Sequence, residues 1–322
     1  MLCAYANKVD PNDPLSCLSV GERDEPTVDD DDWTTVTVAS AALNHHDLWS
    51  LAGVGLTEEQ CPMTLGCDAA GTDAEGNEVI VHSVIADAEA GGGDETLDPK
   101  RSLLSEKFDG TLAEKVVVPR SNLVAKPAQW SMDEAACIPT AYLTAYRMLT
   151  TKGRVRSGDA VLVQGAGGGV ASASVVLARA MGARVYATSR SQERREQVEK
   201  LGATAVEPGQ RLPERVDVVI ESVGEATFAH SMKSAKPGGR IVVCGSTSGH
   251  LPKVDLRRVF FLQLEILGST MGTRDELSEL VDFCVTKDLK PIIDSTYALG
   301  DAAEAFARLQ AGEAFGKIVV RP

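Results

Sequence analysis

The sequence predicts an α/β protein in which a doubly wound parallel sheet is joined to a second, smaller β-rich domain. Three observations predict it. From about residue 128, short apolar runs alternate with helical patterns. A glycine cluster follows the first of those runs and opens a helix. The first third of the chain instead carries β-branched runs bounded by glycine or proline. A length of 322 residues fits two domains at roughly 150 residues each.

In the first third, WTTVTVASAAL alternates, and GNEVIVHSVI and LAEKVVVP supply further strand-like runs. Residues 86–109 between them are polar and irregular, hence a surface excursion, and Asp29–Asp32 reads as a solvated turn. SMDEAACIPTAYLTAYRML then reads as helix. AVLVQ, RVYAT, VDVVI, RIVVCG and FLQLEILGS read as strands, with helices VASASVVLARAM, SQERREQVEKL and FAHSMKSAK between them. From about Pro291 come a strand, the helix GDAAEAFARLQ and a last strand, GKIVVRP, expected to return to the first domain.

Composition removes several functions. Apolar residues at 43% and charged residues at 24% are ordinary for a globular protein. Acidic residues outnumber basic ones 46 to 32, giving a net charge of −14, and aromatics are only 5%. Such a surface repels phosphate backbones and anionic lipid, so neither nucleic acid nor membrane is an expected partner. No two of the seven cysteines have C-x-x-C spacing, and the start MLCAYANKVDPNDP lacks the basic and apolar regions of a signal peptide. The most apolar long stretch, 161–187, is broken by glycines and by Arg179 and Arg184, so it is no membrane span. A reduced, cytoplasmic protein is expected.

The strongest motif is AVLVQ-GAGGGVA-SASVVLARAMGA-RVYAT. Glycines after a strand permit a tight turn and close approach of backbone to a pyrophosphate. The following helix N-terminus offers N–H donors and positive dipole. Gly165, Ala166, Gly167, Gly168, Gly169 and Val170 are therefore the candidate cofactor turn of a Rossmann domain. An NAD site would place an acid about twenty residues on, at the end of the second strand. Here stand Ser189 and Arg190, then Arg194 and Arg195, with no acid before Glu193. A hydroxyl and guanidinium groups suit a 2′-phosphate, which favours NADPH as cofactor. The competing reading has Ser191 capping the helix and the arginines facing solvent.

In these motifs the chain resembles the medium-chain dehydrogenase/reductases, and within them the zinc-independent quinone oxidoreductase (zeta-crystallin-like) branch. The resemblance rests on AALNHHDLWSLAG, LGCDAAG, GTLAEKVVVP, AACIPTAYLTAYRML, the glycine turn, VDVVIESVG and FGKIVV. It covers nearly the whole chain. It implies a GroES-like domain from residues 1–124 and 291–322, a Rossmann domain from 125–290, an active site in the cleft between them, and a homodimer. The branch's A-x-x-G-x-x-G turn is read here as Gly165, Gly168 and Ala171, so its first and last positions differ.

Zinc-dependent members carry Cys in a C-x-T-D motif, a His-Glu pair after a glycine, and Cys or an acid before a T-G-Y segment. The chain has Asn44, Cys67–Asp68 and Thr140 at those positions. Catalytic zinc needs three protein ligands, so the resemblance implies a zinc-free site, with His45, His46 and Cys137 as the alternative ligand set. Zinc-free chemistry in this family is hydride transfer from NADPH to a quinone or to the activated C=C bond of an enone or enoyl thioester. Asn44 and Thr140 are then the candidate catalytic groups. Thr144, Gly224, Gly245, Ser246, Ser269, Thr270, Met271 and Lys317 are the remaining candidate cofactor contacts. Tyrosines near the substrate correspond to Trp49 and Gly55, and Gly55 falls about where enoyl reductases of the superfamily keep a tyrosine acid. The tyrosine that enoyl reductases keep for the 2′-phosphate falls near Gly209. A zinc alcohol dehydrogenase and a non-catalytic NADPH binder are the alternatives.

Overall fold

Residues Trp33–Ala42 alternate between buried and open positions, the period-2 pattern of a strand with one face on a core. In the computed structural model, which describes residues 1–322, this strand is the spine of a seven-stranded sheet. It pairs antiparallel with Asp68–Asp73, with Lys115–Pro119 and with the terminal strand Lys317–Arg321. The last pairing places Val319 opposite Ala42, so the chain end closes onto the first domain. Glu78–Val81 and Leu123–Ala125 extend one side, and Ile293–Ala298 the other. The core beneath joins Val36, Val38, Leu65, Val81, Leu112, Val116, Phe306 and Ile318. Each such side chain contributes about 1.5–3 kcal/mol when withdrawn from water. The unit comprises Met1–Ala141 and Gly272–Pro322.

The second unit, Tyr142–Met271, holds a six-stranded, all-parallel sheet. Its order is Thr204–Val206, Arg184–Thr188, Ala160–Val163, Val216–Glu221, Ala235–Val243 and Glu265–Gly268. Parallel strands covered on both faces carry continuous apolar runs, and all four residues of Ala160–Val163 are buried. The strand order reverses beside Ala160–Val163, so the crevice at the carboxyl ends of that strand and Val216–Glu221 is where a doubly wound sheet receives its ligand.

Three local expectations are corrected. SMDEAACIPTAYLTAYRML is not one helix: Met132–Ala136 gives way to a wide turn, Ile138–Tyr142, before helix resumes at Leu143–Arg147. Pro139 has no N–H to donate, and the wider turn accommodates that loss. In FLQLEILGS only Glu265–Gly268 is strand. The Asp255 carboxylate accepts from the N–H groups of Arg257 and Arg258, starting a helix that runs through Phe261. Thr204–Val206 is a strand the pattern did not reveal.

Candidate active site

The strand Ala160–Val163 delivers the chain into the glycine turn, and helix Gly169–Ala180 follows with Gly168 at its N-cap. Gly165 has φ +71°, and a Cβ there would lie 2.5 Å from Val223 Cγ2. Gly167 has φ +145°, and a Cβ would meet the Arg194 side chain at 3.0–3.1 Å. Both positions therefore demand glycine. Gly168, Gly169 and Val170 are half-buried at the start of the helix, where the first N–H groups have no intrahelical acceptor. The turn fits a pyrophosphate.

A buried polar relay fixes this turn. The Gly165 N–H donates to Thr188 Oγ1 (3.0 Å), and the Thr188 hydroxyl donates to Gln164 Oε1 (2.8 Å). Gln164 Nε2 donates to Ser231 Oγ (3.0 Å), whose hydroxyl donates to Glu221 Oε2 (2.6 Å). Glu221 Oε1 accepts from the N–H groups of Val223 (2.9 Å) and Gly224 (3.0 Å) and from Thr227 Oγ1 (2.8 Å). Glu221 is fully buried. Its charge is borne by these oriented donors, as a buried carboxylate requires. Gln164, Thr188 and Glu221 were not singled out from sequence. The relay ties the glycine turn to Gly224, which opens the helix Glu225–Ser234.

The loops after the next two strands lie beside it. Ser248 donates its N–H to Val223 O (2.7 Å), and Cys244 to Glu221 O (3.0 Å), which brings Gly224, Gly245 and Ser246 together. The Ser269 N–H donates to Val243 O (2.8 Å), and its buried hydroxyl has no partner. Thr270 is exposed, Met271 is buried with φ +48°, and Thr144 is buried on the helix Leu143–Arg147. Beyond the second strand, Ser189 is buried and Arg190 exposed. Ser191 does cap its helix, accepting from the Arg194 N–H (3.3 Å). The two arginines differ: Arg195 donates to the Ser189 (2.8 Å) and Arg190 (3.2 Å) carbonyls, whereas Arg194 lies along Gly167.

In the first unit, the helix His45–Leu51 starts at Asn44 in a capping box: the Asn44 N–H donates to Asp47 Oδ2 (2.7 Å). Asn44, Asp68 and Lys317 then form one buried cluster. The Lys317 ammonium donates to Leu43 O (2.7 Å), Asn44 Oδ1 (2.6 Å) and Asp68 Oδ2 (2.8 Å). Asn44 Nδ2 donates to Asp68 Oδ2 (2.9 Å) and Ala42 O (3.3 Å). Lys317 is 2% exposed and Asp68 0%, so neither charge has water to fall back on. All three ammonium protons are engaged, which holds Lys317 in this cluster and leaves none for a phosphate. Both polar atoms of the Asn44 amide are likewise engaged. Thr140 Oγ1 is buried and has no protein partner.

These residues do not fit a catalytic zinc. Asn44 Oδ1 and Asp68 Oδ2 already accept from the Lys317 ammonium, whose positive charge opposes a metal cation beside it, while Asp68 Oδ1 is buried without a partner. Cys67 Sγ donates to Leu104 O (3.2 Å), and burial pushes its thiol well above the usual range. Burial pushes the Cys137 thiol up as well, and a thiolate is what zinc needs. His46 is neutral, held down to about 4 by burial, and His45 lies exposed. No three His, Cys, Asp or Glu side chains come together as a ligand set. Full burial raises the Asp47 carboxyl to about 7, against the opposing pull of the Asn44 N–H, and its Oδ1 has no partner.

The chain matches two family models, described as alcohol dehydrogenase GroES-like domain over residues 30–128 and zinc-binding dehydrogenase over residues 169–286. It is 28% identical over 311 residues to the acryloyl-coenzyme A reductase of Sulfurisphaera tokodaii, covering 90% of this chain and 92% of that one. A crystal structure described as an NAD-dependent alcohol dehydrogenase superposes with a TM-score of 0.91 at 32% identity, covering 100% of both chains. The 2-octenoyl-CoA carboxylase reductase CinF, solved with NADP and 2-octenoyl-CoA, superposes with a TM-score of 0.91 at 25% identity, covering 99% of this chain and 87% of that one. Both domains, their order along the chain and these relatives agree: the chain belongs to the medium-chain dehydrogenase/reductase superfamily.

Proposed function

We propose that this chain is an NADPH-dependent reductase of activated C=C bonds, with α,β-unsaturated thioesters as its first substrate class, and that it works without zinc. The observation that carries the zinc-free part is the Lys317 ammonium seated on Asn44 Oδ1 and Asp68 Oδ2. The substrate class is supported by the relatives that reduce acryloyl-CoA and bind 2-octenoyl-CoA. Enones and quinones are the neighbouring acceptors, since they also accept hydride at an electron-poor carbon.

When bound, NADPH supplies the hydride. The chain's own part is to hold its pyrophosphate on the N–H groups of Gly168–Val170 and its 2′-phosphate with Ser189, Arg190 and Arg194. The unpartnered Thr140 hydroxyl is the group free to donate to the acceptor's carbonyl oxygen, where charge develops. Asn44 orders the cluster through Lys317 and Asp68. The test is NADPH oxidation by chelator-treated protein against enoyl thioesters, enones, quinones and aldehydes. Turnover of an enoyl thioester is the expected result; activity confined to alcohols and restored only by zinc contradicts it.

Arg194→Ala probes cofactor choice. Loss of a guanidinium–phosphate contact is worth about 1.5–3 kcal/mol. The KM for NADPH should therefore rise about 10–100-fold, with the KM for NADH changed less than about twofold. Equal effects on both cofactors would place Arg194 off the 2′-phosphate.

A second copy of the chain is the inferred partner of an apolar surface on the second unit. Glu265–Gly268 is the outermost strand of the sheet, with Ile266 exposed, and beside it in sequence Leu256, Phe260 and Phe261 are 70%, 69% and 79% exposed. An open strand edge with large exposed apolar side chains is the composition of an interface between copies. Replacing Phe260 and Phe261 together by aspartate should halve the mass measured by light scattering. An unchanged mass would show that this surface is not the interface.

A further inference from the structure

The relay that fixes the glycine turn has one half-exposed side chain, His230, on the helix Glu225–Ser234. Its Nε2 lies 2.8 Å from the Gln210 carbonyl, and its Nδ1 lies 3.0 Å from Gln164 Nε2. A carbonyl oxygen can only accept, so Nε2 carries the ring's proton. Nδ1 of that neutral tautomer is an acceptor. It takes one N–H of the Gln164 amide, while the other goes to Ser231 Oγ (3.0 Å). The amide's orientation is fixed from its other end, where Oε1 accepts from the Thr188 hydroxyl (2.8 Å). Thr188 Oγ1 in turn accepts from the Gly165 N–H (3.0 Å). Each donor between Gly165 and His230 thus has an acceptor, and the pattern holds only while Nδ1 is bare.

We propose that His230 is a positioning residue for the cofactor turn, and that a second proton on its ring breaks the relay and weakens NADPH binding; this rests on the reading of the glycine turn as the pyrophosphate site. The proton comes from solvent, which reaches the half-exposed ring. Placed on Nδ1, it points at the Gln164 N–H, and two donors meet with no acceptor between them. The ring must withdraw, or the amide must turn over. Turned over, the amide sets Oε1 against Nδ1 and Nε2 against Thr188 Oγ1. The Thr188 O–H then loses its acceptor in a dry interior, and Ser231 Oγ loses its donor. Either response slackens the tie on the Gly165 N–H. The charges on the elements around His230 pair elsewhere or stand in water. On the strand Val216–Glu221, Asp217 sits with Lys236 and Arg240 of the neighbouring strand, and Glu221 holds Ser231 and Thr227. On the segment that carries Gln210, Glu207 pairs with Arg195 (3.5 Å) and Glu214 with Arg184 (2.8 Å). Arg211 and Arg215 there, and Glu225 and Lys233 on the helix itself, are exposed. The ring's own two bonds therefore decide what a proton does to the turn.

The test uses the intact protein and follows the His230 imidazole by NMR, with and without NADPH, between about pH 5.5 and 8. The NADPH dissociation constant is measured at each pH by fluorescence. The His230 titration should move to lower pH when NADPH is bound, because binding and protonation oppose each other. NADPH affinity should fall about 3–10-fold as the ring gains its second proton. The 2′-phosphate also titrates, near pH ~6, so the wild type is compared with variants that differ only at the ring. In His230→Asn the amide oxygen offers Gln164 an acceptor at the Nδ1 position and takes up no proton. That variant should bind NADPH as tightly as wild type at about pH 8 and lack the extra loss in acid. His230→Leu offers no acceptor; it should bind more weakly at the higher pH, lack the extra loss too, and serves if the asparagine variant fails to fold. A His230 titration that NADPH does not move, or a loss in acid that the variants keep in full, overturns the proposal. Wild-type protein that binds no NADPH at any pH would instead sink the reading of the glycine turn.

Discussion

Replacing Lys317 by methionine is expected to destabilise the protein by about 3–5 kcal/mol, the cost of leaving a buried carboxylate without its cation. Methionine keeps most of the volume, so the loss isolates the charge. The ammonium satisfies the Leu43 carbonyl, Asn44 Oδ1 and Asp68 Oδ2 at once, and all lie out of water. Urea unfolding of wild type, Lys317→Met, Asp68→Asn and the double variant measures the coupling. The double variant should be less damaged than the two single losses predict, since each alone strands the other's charge. Strict additivity would mean that the ammonium and carboxylate do not depend on each other.

Glu221→Ala should cost about 2–4 kcal/mol, because two backbone N–H groups and two hydroxyls lose a charged acceptor in a dry interior. Its second effect distinguishes it from an ordinary core defect. The relay through Ser231, Gln164 and Thr188 ends on the Gly165 N–H, so the glycine turn should lose its fixed geometry. NADPH affinity is expected to fall at least about tenfold under conditions where the variant is fully folded, the order expected when a few kcal/mol of positioning is lost. A folded variant with wild-type affinity would show that the relay serves stability alone. Phe228→Leu, a cavity change in the same unit's core, is the control and should leave affinity unchanged.

Much of the fold was legible because its signals are local. Alternating burial in Trp33–Ala42 and the unbroken apolar run Ala160–Val163 follow directly from strand geometry. Gly165 and Gly167 were legible for the same reason, since each fills a conformation or a space that excludes a side chain. Thr204–Val206 was hidden because three residues are too few to show a period. The Phe261 end of FLQLEILGS was misread because an apolar run does not reveal that Asp255 caps a helix upstream. The polar groups were least legible. Lys317 and Asp68 are 249 residues apart, and nothing local says that one neutralises the other.

Under the function proposed above, hydride moves from NADPH to a C=C bond with no metal in the site. The most direct measurement is a single-turnover reaction of chelator-treated, metal-analysed protein with 4-deuterated NADPH and a 2-butenoyl thioester, followed by mass and NMR analysis of the product. The expected product is a saturated thioester with deuterium at the β-carbon, formed by protein that carries no zinc. A product without deuterium at the β-carbon from both the 4R- and the 4S-labelled cofactor, or transfer that appears only when zinc is returned, would contradict it.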